Sequence, residues 1–368
     1  MSAAIIDESV RVGVYRFPTP EPEADGTLEW EATTAVTVEI DAGGQSGLGW
    51  TYSGGAAAAI VRDVLAPVLA GRSPFDIGDC RIRMQRACRN LGTAAVVAHA
   101  LSAVDIALWD LKARLLGVPL SRLFGAVRLA TPVYGSGGFT TLTDDELGEQ
   151  IEGWLSAGCR CVKIKIGEDR GERPDRDLER VSLADGLLGD RARLMVDANG
   201  AYSAALARRV GADLDRHDVI WFEEPVTSDD PPGLALLRAA LRCDVAAGEY
   251  VYRPYDAAAL IGSVDCLQLD VTRCGGYSGF LECAALAAAH GLDVSAHCAP
   301  SLHAPIVSSF AHLRHVEWFI DHSRLEPLLV DGVPAVRDGV LAPGRGAGHG
   351  MRLADSAGKY SVGGAGRR

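Results

Sequence analysis

The chain reads as an α/β protein, a TIM-type (modified β/α) barrel preceded by an N-terminal α+β capping domain, and three features of its 368 residues predict this. Eight short β-rich runs recur from about residue 131 onward, with amphipathic helical stretches between them. Charged residues stand at the C-terminal ends of most of those runs, and the first 125 or so residues lack the alternation. Parallel strands need long crossover connections, which helices supply, so a regular alternation of this length closes into a barrel.

In chain order, "AVTVEIDAGGQSGLGW" (Ala35 to Trp50) alternates like a pair of strands around a Gly-rich turn, and long helical stretches follow through "HALSAVDIALWDLKARLLGV". Two stretches of this module are candidate lids over a substrate. "RFPTPEPEADGTLEW" (Arg16 to Trp30) carries Glu21, Glu23, Asp25 and Thr27, which suit a polyhydroxylated acid or simply face solvent. "GLGWTYSGG" (Gly47 to Gly55) carries Trp50 and Tyr52, which line the pocket or pack. The barrel runs are "TPVYG", "CVKIKIG", "RLMVDANG", "DVIWFEEP", "DVAAGE", "CLQLDV", "LDVSAH" and "RHVEWFI". Between them, Leu178, Val181, Ala184 and Leu188 share a helix face, and Ser203 is the N-cap of a helix carrying Leu206, Val210 and Leu214. The expected divisions are a capping domain over 1–128, the barrel with the active site over 129–325, and a segment over 326–368 that packs back on the cap. That last segment is rich in Gly and Pro, and its tail "GGAGRR" is expected to be disordered. "GRGAGHG" has dinucleotide-loop glycines but links no strand to a helix, so it reads as a turn.

Composition excludes several roles. Lys plus Arg total 36 against 48 Asp plus Glu, a net charge of −12 with no basic stripe, so nucleic acid and anionic membrane surfaces are not expected partners. No apolar run has the length of a membrane span, and "MSAAIIDESVRVG" lacks the basic and apolar regions of a signal peptide, which predicts a cytoplasmic protein. Nine cysteines, an odd number mostly in apolar contexts, suit reduced thiols, and the pair Cys159 and Cys161 has no second pair at zinc spacing.

The chemistry is expected where strands end. Those ends carry Lys163 and Lys165, Asp197, Glu223, Glu249, Asp270, His297 and Glu317. Asp197, Glu223 and Glu249 are 26 residues apart (197 to 223, 223 to 249), one strand-helix unit each. A single acid at such a place caps a helix or faces water; three at one level of adjacent strands repel one another unless a cation neutralises them. All-oxygen ligands with room left for substrate favour one Mg²⁺ ion. In "VKIKIG", alternation puts Lys163 and Lys165 on one face, and that face meets either solvent or the same mouth. His297 is a buried histidine or, with Asp270 one unit earlier, an oriented general base.

In this order and spacing, the residues resemble the enolase superfamily, specifically the mandelate racemase subgroup of its mandelate racemase/muconate lactonizing enzyme family. The resemblance runs over nearly the whole chain: "DIALWDLKARLLGVPLSRLFG" in the cap, then K-x-K, "VDAN", "EEP", "GE", an Asp ahead of "GG", the His, and Glu317 in "VEW". It implies that Asp197, Glu223 and Glu249 bind Mg²⁺, with Glu223 preferred to Glu224 as the first acid of "EEP". It further implies that Lys165 is the base on one face of the substrate's α-carbon, with Lys163 lowering its pKa and helping to bind the carboxylate. His297, oriented by Asp270, acts on the other face; Glu317 hydrogen-bonds the carboxylate, and Asn199 is a polar contact. Formation of an ene-diolate beside Mg²⁺ is the superfamily's known chemistry and is not read from these residues. The resemblance implies a small carboxylate substrate, first an acid sugar undergoing dehydration, with a racemase or epimerase of a hydroxy acid as alternative and a cycloisomerase after it. It also implies a homo-oligomer, a dimer or an octamer. Two other classes remain: a Schiff-base aldolase also places a lysine at a strand end but needs no spaced acids, and a non-catalytic barrel leaves the Lys and His-Asp pairs unexplained.

Overall fold

The computed structural model describes residues 4–362, except the side chains of Glu8 and Ser9. The tail 363–368, expected to be disordered, lies outside the described residues. An antiparallel sheet opens the chain: β1 (Ile6–Ala24), β2 (Glu29–Ala42) and β3 (Gln45–Tyr52), in that spatial order. Helices α1 (Ile77–Ala87) and α2 (Ala95–Leu116) cover it. The approach of α2 to β3 is close because two positions lack a side chain. A Cβ on Gly47 would stand 2.2 Å from the Ala107 carbonyl oxygen, and one on Gly49 2.2 Å from that of Ala103.

Both expected lid loops are largely strand. Gly47 to Gly55 is mostly β3, and Trp50 and Tyr52, two residues apart on one pleat face, pack at the joint between cap and barrel. Trp50 is fully buried with its indole Nε1 donating to the Tyr52 hydroxyl at 3.2 Å. Tyr52 stacks on His322 at 3.6 Å and donates to Glu326 at 3.1 Å. Of the two expected roles, these contacts give packing. Arg16 to Trp30 is a hairpin formed by β1 and β2, with prolines tolerated on the edge strand β1. Its Glu23 does not face solvent: it is buried, accepts from Trp30 Nε1 at 3.1 Å and pairs with Arg324 at 2.5 Å. Asp25 accepts the Thr27 and Leu28 amides at 2.6 and 2.8 Å and so shapes the turn. The tip rests on the barrel: a Cβ on Gly26 would lie 2.8 to 2.9 Å from the carbonyl oxygens of Ile166, Ala198 and Gly167.

Eight parallel strands follow, each beside its sequence neighbour: β4 (Thr131–Gly137), β5 (Cys161–Lys165), β6 (Arg193–Asp197), β7 (Trp221–Glu223), β8 (Asp244–Ala247), β9 (Cys266–Leu269), β10 (Asp293–Ala296) and β11 (Leu313–Phe319). Pairing of β11 with β4, Val316 opposite Val133, closes the ring. Helices α3 (Asp144–Ser156), α4 (Pro174–Leu188), α5 (Ala204–Leu214), α6 (Pro231–Ala240), α7 (Pro254–Leu260), α8 (Gly276–Ala289) and α9 (Pro300–Val307) cross between them, and α10 (Ile320–Leu329) follows the last. Ser203 caps α5 by accepting the Leu206 amide, and Thr143 with Glu146 forms a capping box on α3. The division expected at 325/326 falls inside α10, because Pro327 is accommodated within that helix. Beyond α10 the chain adds Val340–Leu341 antiparallel to β4 and then reaches the cap, where Ser361 bridges to Tyr15 and Tyr360 packs on Phe17 at 4.6 Å. All nine cysteines are free. Among the described residues, no helix is long and apolar enough to cross a membrane.

Candidate active site

On β5 the pleat sends Val162 and Ile164 to the apolar shell under the helices, with Ile166 just beyond the strand buried there too. Lys163 and Lys165 point into the barrel mouth, 1% and 6% exposed. Two ammonium groups removed from water require counter-charges, and the neighbouring strand ends provide them. Lys163 Nζ lies 2.7 Å from both Glu223 carboxylate oxygens and 2.8 Å from Glu317 Oε1, above the Tyr134 ring. Lys165 Nζ lies 2.5 Å from Asp197 Oδ2 and 3.0 Å from Asn199 Oδ1. Strand register accounts for this: Lys165 on β5 is opposite Asp197 on β6, which is opposite Glu223 on β7.

Asp197, Glu223 and Glu249 are all buried, and one carboxylate oxygen of each lies within 4.8 Å of the others. Burial and the Asp197 charge push the Glu223 carboxyl up to about 8. Glu224 is also buried, in a left-handed turn at φ 34°, and its Oε1 has no hydrogen-bond partner. Burial followed by Glu249, Asp197 and Glu223 drives its pKa far upward. The carboxylates Asp197, Glu223, Glu224, Glu249, Asp270 and Glu317 thus outnumber the permanent cations Lys163, Lys165 and Arg273 around them. A hard dication fits this excess of oxygen donors and the orphaned Glu224 oxygen.

Across the mouth, His297 follows β10, and its Nδ1 is 2.9 Å from Asp270 Oδ2. Asp270 accepts the Thr272 amide and hydroxyl, each at 2.7 Å. Burial pushes Asp270 upward, but the His297 hydrogen bond and the charges of His297 and Arg273 hold it well below the carboxylate range. His297 is itself raised: burial opposes its charge, and Glu249 and Glu317 outweigh burial. Its Nε2 faces Cys298 Sγ at 3.4 Å, Glu249 Oε2 at 3.5 Å and Glu317 Oε2 at 3.8 Å. Lys163 acts on Lys165 in the expected direction, but it does not prevail. Burial and Lys163 both lower it, yet Asp197 wins and the ammonium lies above the lysine norm.

All the strand-end residues named from sequence therefore meet in one mouth, and Asn199 joins them through Lys165. Sequence reasoning missed the groups that hold them. Arg273 donates to Glu249 at 2.9 Å and stands 3.6 Å from Asp270, tying the acid triad to the His-Asp pair. Ser136 Oγ and the Cys298 amide donate to the two Glu317 oxygens at 2.6 and 2.8 Å. Trp221 Nε1 and Gln268 Nε2 donate to Glu223 at 2.9 and 2.8 Å. Trp221 lies two residues before Glu223 and Gln268 two before Asp270, so period-two alternation, followed one layer deeper into the barrel, would have found both.

Residues 12–125 match the mandelate racemase/muconate lactonizing enzyme N-terminal domain, and residues 146–357 match the enolase C-terminal domain-like family. The chain belongs to the mandelate racemase/muconate lactonizing enzyme family. This family member is 36% identical over 362 residues to the 3,6-anhydro-alpha-L-galactonate cycloisomerase of Streptomyces coelicolor, across 94% of this chain and 96% of the relative. It is 32% identical over 370 residues to the L-talarate/galactarate dehydratase of Salmonella typhimurium, across 96% of this chain and 90% of the relative. Among solved structures, a mandelate racemase/muconate lactonizing enzyme-like protein from Rubrobacter xylanophilus superposes with a TM-score of 0.94 at 42% identity, covering 97% of this chain and all (100%) of that one. A racemase from Streptomyces coelicolor with bound magnesium superposes with a TM-score of 0.92 at 32% identity, covering 97% and 100%. The relatives are lyases and isomerases of the enolase superfamily, and this family member is an enzyme of that kind.

Proposed function

We propose that this enzyme is a Mg²⁺-dependent hydro-lyase that removes the proton α to the carboxylate of an acid sugar and expels the β-hydroxyl as water. The observation that carries the reading is the placement of two proton-transfer groups, Lys165 on β5 and His297 after β10, each in contact with one edge of the Asp197, Glu223 and Glu249 cluster. Those three carboxylates would hold the ion. Bound there, Mg²⁺ supplies positive charge where the substrate carboxylate becomes more negative as its α-proton leaves.

Lys165 accepts the α-proton on its side. Its pairing with Asp197 opposes loss of its own proton, so it becomes a base once Asp197 serves as a ligand and Lys163 is left as its dominant charged neighbour. His297, fixed at Nδ1 by Asp270, presents Nε2 to the opposite side and protonates the departing hydroxyl. One C–H and one C–O bond break, a C=C bond forms, and water leaves. Burial works to raise Glu317, but Lys163 foremost and then His297 hold it far below the carboxylate range, so it accepts hydrogen bonds and donates none. Its expected hydrogen bond to the substrate carboxylate requires a proton, which becomes available when a second anion draws Lys163 away.

A cycloisomerase is the second reading, favoured by the relative at 36% identity. The same two groups serve when the leaving oxygen belongs to a ring and remains attached. The test is mass spectrometry of mono- and diacid sugars, mandelate and other small hydroxy acids incubated with the enzyme and Mg²⁺ in D₂O, against a chelated control. Loss of water supports dehydration. Deuterium gain at the α-carbon with the carbon and oxygen skeleton unchanged identifies racemisation or epimerisation, an isomer with an altered ring and no loss of water identifies cycloisomerisation, and chelator-insensitive turnover overturns the metal-dependent reading.

A further inference from the structure

The mouth contains a second set of metal-ligating atoms whose chemistry differs from that of the acid triad. His297, Cys298 and Glu317 each offer one ligand atom within 4.8 Å of the others, and all three are buried. The separations are specific. Cys298 Sγ is 3.4 Å from His297 Nε2, and Glu317 Oε2 is 3.8 Å from the same nitrogen. A tetrahedral zinc ion, with Zn–N about 2.0 Å and Zn–S about 2.3 Å, spaces its nitrogen and sulfur ligands by roughly 3.5 Å. Cys298 is held in place by a backbone at φ 50° and by its amide's bond to Glu317 Oε2, so thiol and carboxylate face the imidazole together.

We propose that His297 Nε2, Cys298 Sγ and Glu317 form a site for a soft or borderline divalent cation, zinc foremost, and that filling it switches the enzyme off by capturing the nitrogen that transfers the proton. Mixed nitrogen, sulfur and oxygen donors favour zinc over magnesium strongly, whereas the oxygen-only triad suits Mg²⁺ present in excess, so the two ions sort between adjacent sites. Burial first, and then Glu317 and Asp270, favour the protonated thiol, and binding releases that proton to solvent as the thiolate forms. Glu249 Oε2, 3.5 Å from the same imidazole nitrogen, stands between the two sites and places a zinc ion directly beside the triad. The off-switch rests on the proposed role of His297, whereas zinc binding to the free protein does not, so failure of the site and failure of that role are distinguishable.

The experiment is equilibrium dialysis of the full chain with zinc in excess Mg²⁺, paired with cobalt(II) titration followed in the near ultraviolet. One zinc per chain that excess Mg²⁺ does not displace, with a thiolate-to-cobalt charge-transfer band, supports the site. In C298S the band disappears and zinc affinity falls at least about 10- to 100-fold. Zinc that Mg²⁺ displaces, no thiolate band in the wild-type protein, or equal zinc affinity in C298S overturns the proposal. Absence of the band in the wild-type protein overturns the site even where the variant folds poorly, and C298A in place of C298S serves to assign a band that is present.

Discussion

At the scale of single residues, the two sides of the mouth make separable predictions. Lys165→Ala and His297→Asn each remove one proposed proton-transfer group while leaving all three acids of the triad in place, and each is expected to lower kcat about 10²- to 10⁴-fold. Calorimetric titration with Mg²⁺ is expected to remain within a few-fold of wild type, which separates lost chemistry from lost metal. A drop smaller than tenfold in both variants would remove these residues from the mechanism. Glu326 gives a second prediction, outside the mouth. It is buried between cap and barrel, accepts from the Tyr52 and Ser301 hydroxyls, and burial pushes its carboxyl up to about 7. A carboxyl with a raised folded pKa binds its proton more tightly when folded. Its favourable contribution is therefore complete below the unfolded pKa, near 4.5, and is lost as pH rises through about 7. Glu326→Gln should remove that pH-dependent loss, flattening the urea stability profile between pH 5 and 8 by an amount on the order of 3 kcal/mol. An unchanged profile would place the Glu326 carboxyl in the ordinary range.

At the scale of elements, a glycine decides how closely cap strand and cap helix meet. Gly49→Ala pushes a methyl group against the Ala103 carbonyl of α2 and the Ala107 amide, both backbone atoms that yield little. It should cost about 1–3 kcal/mol in a urea melt, the usual range for overpacking a tight core. A neutral result would mean that α2 shifts freely on β3. The same strand marks where reading the sequence stopped short. All eight barrel runs were legible because each is a short apolar segment followed by a helix of period 3.6, and each catalytic candidate ends such a run. Trp50 and Tyr52 were ambiguous because one pleat face carries both, and nothing local distinguishes a face turned to a pocket from one turned to the His322 ring 270 residues later (52 to 322). Glu23 had the same fault: its partner Arg324 lies on α10, and an acid beside prolines looks solvated until the cap is docked. Arg273 stood in plain sight three residues after Asp270, but its value depends on reaching Glu249 across a strand boundary that spacing alone does not measure.

At the scale of the whole molecule, a chain of net charge −12 concentrates buried acids at one end of its barrel, and that arrangement opposes folding when no cation balances it. Sites shaped for function often carry such a cost in stability. Mg²⁺ at about 100 times its Kd should therefore add about 2.7 kcal/mol and raise Tm by a few degrees, reversibly on chelation. Glu224→Gln separates the contributions. Its carboxyl is buried, one oxygen has no partner, and its nearest charges are Glu249, Asp197 and Glu223, all of its own sign. Neutralising it relieves repulsion throughout the cluster, so the metal-free variant should melt above the metal-free wild type at pH 8. The three proposed ligands remain, so the increment from Mg²⁺ should persist. If Glu224→Gln instead abolishes the increment while Glu223→Gln preserves it, the second acid of "EEP" holds the ion, and Glu223, bonded to Lys163, Trp221 and Gln268, is a structural anchor for the barrel interior.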